Sequence, residues 1–195
     1  MEIQLREHLW LGLIIWVALF ISDYSFTIAC ARLYRRGVNE KIVFEGSFEL
    51  TPYYQKDIDS LKKFSPRFLL ALVLAVTVLS ILWFLATYIQ MPELYSLALG
   101  ALVLLQLAVH KRHLQNFFLF RAMLKSDLVR GRIEYSRSLI LRQSSLELCV
   151  FSVMFFLIAL FTWSIFILGG ALGCASAAVK HWQLSQSAMK SAASA

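Results

Sequence analysis

Apolar residues in this chain come in long blocks rather than in the short alternations of a soluble fold. Four blocks, residues 9–33, 68–89, 94–110 and 146–172, carry few charges and are separated by more polar segments. A helix rises ~1.5 Å per residue, so ~20 apolar residues cross a hydrocarbon core ~30 Å thick. The pattern predicts an all-α integral membrane protein built as a bundle of four transmembrane helices. Pro92, in the tight connection YIQMPEL, makes the second and third blocks an antiparallel pair. The third block is the shortest, but no Gly or Pro follows Gly100 until Gly131. Its helix is therefore expected to run on through HKRHLQNFFLFRAMLK and to break at the capping pair Ser126-Asp127.

The polar segments 34–67 and 111–145 have patterns of their own. KIVFEGSFEL alternates imperfectly about Gly46-Ser47, which predicts a small β-hairpin. Thr51-Pro52 then opens a short surface helix that must end before Pro66. Phe44, Phe48, Tyr53 and Tyr54 either close a lid on the bundle or anchor a cytoplasmic partner. Residues 127–145 form a second amphipathic stretch, and residues 180–195, rich in Ser, Ala and Gln, read as a loosely ordered tail.

Charge orients these elements. Of nineteen Lys and Arg, eight lie between Arg32 and Arg67 and eight between Lys111 and Arg142. Basic flanks stay in the cytoplasm, so these two segments are expected inside and both termini outside. Trp10 and Tyr34 fall where outer and inner aromatic belts would lie. Arg35, Arg36, Lys111, Arg112 and Arg121 fall at the inner headgroup level, where they would meet anionic lipid. Because the net charge of +7 is dispersed over these loops, no separable basic domain for nucleic acid is present. Composition agrees with the membrane class: 59% hydrophobic, 16% charged, mean hydropathy +0.66. The first block is too long for a signal peptide and is followed by arginines, so it reads as a retained anchor. The tight loops favour a bacterial inner membrane.

One acid interrupts this pattern. Asp23 lies fourteen residues past Leu9, about 20 Å down the first span. An ionisable group within a membrane helix costs ~2.5–3.5 kcal/mol, so it faces protein or water. Counted from the outer helix ends, Thr77, Gln106 and Ser152 reach a similar depth, Thr27 is one turn below Asp23, and Glu147 is near the cytoplasmic mouth. The expectation is a polar layer that either fixes helix register or binds a proton or cation. Gly169 and Gly173 are spaced for close helix contact, either against the first helix or between copies of the chain. Cys30, Cys149 and Cys174 have neither metal nor redox spacing and read as packing residues. No metal site or cofactor is expected: His8 and His181 are placed outside and His110 and His113 inside, with no facing pair for haem. Phosphate-loop, zincin and nucleophile-elbow motifs are lacking. The reading that follows is a non-enzymatic subunit or accessory component that associates with a membrane-protein partner or with itself. The alternatives are a small oligomeric proton or cation channel or transporter centred on Asp23, and a membrane-embedded lipid-modifying enzyme.

Overall fold

The computed structural model describes residues 2–125 and 130–193. A short α1 (Glu2–Glu7) leads into α2 (Leu9–Leu33). A π-helical turn, Tyr34–Val38, follows, in which Gly37 takes φ 132° and redirects the chain, and then α3 (Asn39–Lys41). Next come β1 (Ile42–Phe44), α4 (Pro52–Asp59), α5 (Pro66–Tyr88) and α6 (Pro92–Lys125). The chain closes with β2 (Ile133–Tyr135), α7 (Arg137–Thr162) and α8 (Ile165–Ala193). Helix starts follow local chemistry: the Ser65 hydroxyl accepts from Phe68 N at 3.2 Å and the Ser136 hydroxyl from Leu139 N at 3.3 Å. Pro92 begins α6, which runs unbroken to Lys125 as its lack of breakers requires; the expected break at Ser126-Asp127 lies outside the described residues.

Five helices, not four, are long and apolar enough to cross a membrane among the described residues. The block 146–172 is not one span. Trp163 adopts the left-handed conformation (φ 53°), its N–H closes on Ala159 O at 2.8 Å, and the Ser164 hydroxyl accepts from Ile167 N at 3.2 Å to start the next helix. The chain thus turns back on itself, and residues 180–193, expected as a loose tail, continue α8. The N-terminal and C-terminal segments end up at opposite ends of the bundle: Leu5 packs with Tyr95 and Leu99, whereas the Ser185 hydroxyl donates to Ser138 O at 3.0 Å.

The expected hairpin at Gly46-Ser47 is also replaced. Gly46 does turn the chain (φ 83°), but β1 pairs in parallel with β2 from the second polar segment, with Val43 opposite Glu134. A strand of three residues finds its partner across the cap rather than across the turn. This joins the two polar segments into one structure over an aromatic cluster of Tyr34, Phe44, Phe48, Phe120 and Tyr135. Phe44 and Phe48 are used in this internal packing, while Tyr53 stays exposed beneath Arg67.

α6 is the common partner of α2, α5 and α8, and α7 packs chiefly on α8. Glycine makes the α6–α8 seam: a Cβ on Gly100 would run into the Phe166 carbonyl, and one on Gly169 into the Leu97 carbonyl. A Cβ on Gly173 would lie 2.6 Å from Ala101 O. The small-residue motif therefore seats α8 against α6, not against α2. On the other side of α8, hydroxyls of α7 reach its backbone, Ser145 to Ala178 O and Ser152 to Ala171 O, both 2.8 Å. Apolar side chains face outward along α5 (Leu70, Val73, Val78, Phe84) and α7 (Val150, Val153, Leu157, Phe161). A soluble monomer does not display such faces. The chain is a predominantly helical, multi-pass membrane protein.

Candidate functional site

α2 and α6 meet along a polar seam that starts with Ser22 and Asp23. His110 and His113, one turn apart on α6, are both buried against it. Ser22 Oγ lies 2.5 Å from His110 Nε2, and His110 Nδ1 lies 2.7 Å from Gln106 O. His113 Nε2 lies 3.1 Å from Asp23 Oδ1 and 3.4 Å from the Thr27 hydroxyl, which itself donates to Asp23 O at 3.0 Å. The Asp23–His113 contact is ion-pair close, yet Asp23 Oδ1 accepts no hydrogen bond. His113 Nδ1 is likewise buried with no hydrogen-bond partner.

The seam is closed by Glu49 from the cap that carries β1 and α4. Its Oε1 accepts from Thr51 N at 2.7 Å, and Gln55 donates to its carbonyl at 2.9 Å, which holds the carboxyl inward. Some of the residue's surface stays open, yet burial of the carboxyl raises its pKa above the usual range. The Thr51 hydrogen bonds and His113 oppose that shift, and Asp23 adds to it. Tyr54, just behind, is pushed up to about 12 by burial first and then by neighbouring Tyr53, Glu49 and Asp23. Asp57 in the same cap behaves oppositely. It accepts from the Ser65 hydroxyl at 2.5 Å and pairs with Lys62 at 3.1 Å, and these contacts hold its carboxyl below the usual range despite burial.

A second feature adjoins the seam. α6 and α7 stand apart, each against α8, and leave between them a cleft of about 800 Å³. A polar ring crosses it: Lys111 pairs with Glu147 at 2.6 Å, Arg112 donates to the Ser144 hydroxyl, and Gln115, Asn116 and Gln143 add amides. The Ser144 oxygen is also 2.7 Å from His181 Nδ1 of α8. Toward the span the walls are Val150, Phe151 and Met154; toward the β1–β2 cap they are Ile42, Phe44 and Tyr135. His113 and Glu49 line this cleft, and Glu49 also lines a small cavity of about 30 Å³ with Asp23, Thr27 and Tyr54. No match to this chain is found among protein-family descriptions, curated sequences or solved structures.

These positions separate the residues that the sequence grouped together. Asp23 and Thr27 meet at His113. Gln106 contributes its carbonyl to His110, while its side-chain Nε2 is buried without a partner. Thr77 faces outward on α5, and Ser152 lies in the α7–α8 seam. The four do not share one layer, because equal depth does not make helix faces converge. Of the basic group, Lys111 and Arg112 line the cleft. Arg35 donates to Asp59 O, Arg36 is exposed, and Arg121 lies over Phe117 at 5.5 Å. His181, expected at the opposite end from Lys111 and Arg112, stands beside Ser144 at the same end as them. No sequence pattern groups Ser22, Glu49 and His113 into a site. For His113 the available signal was its spacing of three from His110; for Glu49, a loop residue, no local pattern marks burial.

Proposed function

We propose that this protein is a non-enzymatic, multi-pass membrane component whose working part is the α6–α7 cleft, which binds a phospholipid with a phosphodiester headgroup. The observation that carries this reading is the grading of the cleft. Its polar ring, with Lys111 and Arg112, adjoins the apolar walls Val150, Phe151 and Met154. Phosphate at the two cations and an acyl chain along those walls would satisfy both parts. The ring sits where an interface is expected, since Pro92 to Arg112 spans about 30 Å of helix.

We further propose an orientation with the N-terminus outside and the C-terminus in the cytoplasm. The fifth crossing carries Lys180 and Lys190 to the basic end, and Arg6 is then the single Lys or Arg on the far side. This improves on the charge asymmetry of four crossings. Conduction through a layer of Asp23, Thr77, Gln106 and Ser152 gains no support from their positions. The accessory role suits a protein that presents a bound lipid rather than a reacting centre.

Native mass spectrometry of the chain released from mild detergent tests the lipid reading. One phospholipid per chain is expected in the wild type, with most of it lost in Arg112→Ala and in Val150→Trp, which fills the apolar wall. A chain that carries no lipid, or variants that retain it as well as the wild type, would refute the assignment.

A further inference from the structure

His113 and Glu49 face the lipid cleft with one side and Asp23 with the other. Glu49 lines both the cleft and the small cavity beside Asp23, and His113 lines the cleft and contacts Asp23. The surroundings of His113 are specific. From α2 it meets Asp23, the Thr27 hydroxyl and the Cys30 thiol, which bonds to its carbonyl at 3.6 Å. From the cap Glu49 lines the same cleft and interacts with it electrostatically, with Tyr54 of α4 behind; from α7, Glu147 shares the cleft; on its own helix Lys111 and Arg112 flank it and His110 is a turn away. His181 of α8 stands beside Ser144 across the ring. α5 contributes Phe68 to the small cavity.

Proton occupancy in such a cluster depends on the charge placed in the cleft. The imidazole of His113 lies 3.1 Å from Asp23 and lines the cleft together with Glu49, whose carboxyl feels its charge, and His113 Nδ1 and Asp23 Oδ1 are both buried without hydrogen-bond partners. A phosphodiester in the polar ring adds a negative charge within a few ångströms of a low-dielectric cluster, and a nearby anion favours the protonated form of both a histidine and a carboxyl. Linkage is reciprocal: if lipid raises proton affinity, protons raise lipid affinity by the same factor.

We propose that Asp23, His113 and Glu49 form a proton-binding site coupled to the cleft, so that an anionic phospholipid binds together with a proton. The coupling rests on the lipid reading above, but it makes a separate claim. Lys111 and Arg112 hold the phosphate, and His113 and Glu49 adjust their protonation to it. Asp23 holds the far side of His113 and keeps the imidazole oriented toward the cleft. One proton linked to one lipid gives at most a tenfold change in affinity per pH unit.

Short-chain phosphatidylglycerol is a suitable probe because its phosphodiester does not titrate near neutrality. Its binding to the full chain in detergent is measured between about pH 6 and pH 8, where a histidine changes charge. The wild type is expected to bind at least fivefold more tightly at the acid end, and calorimetry in buffers of different ionisation enthalpy is expected to show proton uptake. His113→Gln should bind with little pH dependence, Glu49→Gln should lower the proton uptake, and His110→Gln and His181→Gln should keep the full slope. Should His113→Gln fail to fold, proton uptake by the wild type and the Glu49→Gln and His181→Gln arms still decide. Binding with no pH slope and no proton uptake overturns the coupling and leaves the lipid reading standing. A slope that disappears with His181→Gln but persists with His113→Gln or Glu49→Gln overturns the site assignment. Absence of binding at every pH overturns both.

Discussion

Glu49 shows how one side chain in a loop can carry more physics than its sequence neighbourhood suggests. Its carboxyl is held inward by Thr51 N and by the path of the chain, and burial raises its pKa. The sign of the consequence follows from linkage. An acid whose folded-state pKa is raised favours the folded state while protonated, and that contribution is lost as pH rises through the folded value. Ionised Glu49 is thus a cost that a neutral isostere avoids, and glutamine can still accept from Thr51 N. Glu49→Gln is expected to raise the melting temperature at neutral pH by about 2–4 °C for each kcal/mol gained. The gain should shrink to nothing below about pH 4, where the wild-type carboxyl is protonated as well. A thermal shift series across pH checks this, and a constant offset at all pH values would show that the effect is not electrostatic.

The α6–α8 seam explains why the last apolar region is two helices. Residues 146–179 form an apolar run of more than thirty residues, well beyond the ~20 a single crossing needs. The surplus length folds back at Trp163-Ser164, and the small residues of the second half let α8 approach α6 to backbone contact. Valine at position 169 has no room against the Leu97 carbonyl, so the helices must separate. Overpacking of this kind costs about 1–3 kcal/mol. Gly169→Val is therefore expected to melt several degrees below the wild type in detergent. Cys149→Val, on the exposed face of α7, should melt within a degree or two of it. Equal stability of the two variants would show that the seam is not a tight one.

The described residues hold five candidate crossings, an odd number, and this sets the two ends apart. Cysteines introduced at Gln4 and at Ser191, in a chain whose three native cysteines are replaced by alanine, report the two ends. A membrane-impermeant thiol reagent should label the Gln4→Cys chain in intact cells and the Ser191→Cys chain only after the membrane is opened. Labelling of both from outside would restore the four-crossing topology. The same layout puts the cleft, the polar seam and the β1–β2 pair at one end, so the proposed lipid and proton sites adjoin the cap.

Much of this was legible along the chain, and the divide has a physical basis. Apolar block length and the placement of arginines are local properties, so the helical membrane class and the spans Leu9–Leu33 and Pro66–Tyr88 could be read almost to the residue, and Asp23 marked itself by standing in an apolar run. Pairing is not local. Whether Val43 meets its own hairpin or Glu134, whether Gly169 faces α2 or α6, and whether Thr77 points at Asp23 or at lipid all depend on helix rotation and packing. Residue depth constrains neither. Asp23 needed a partner because of where it lies in the chain; packing chose His113, ninety residues later, because α2 and α6 press their polar faces together there.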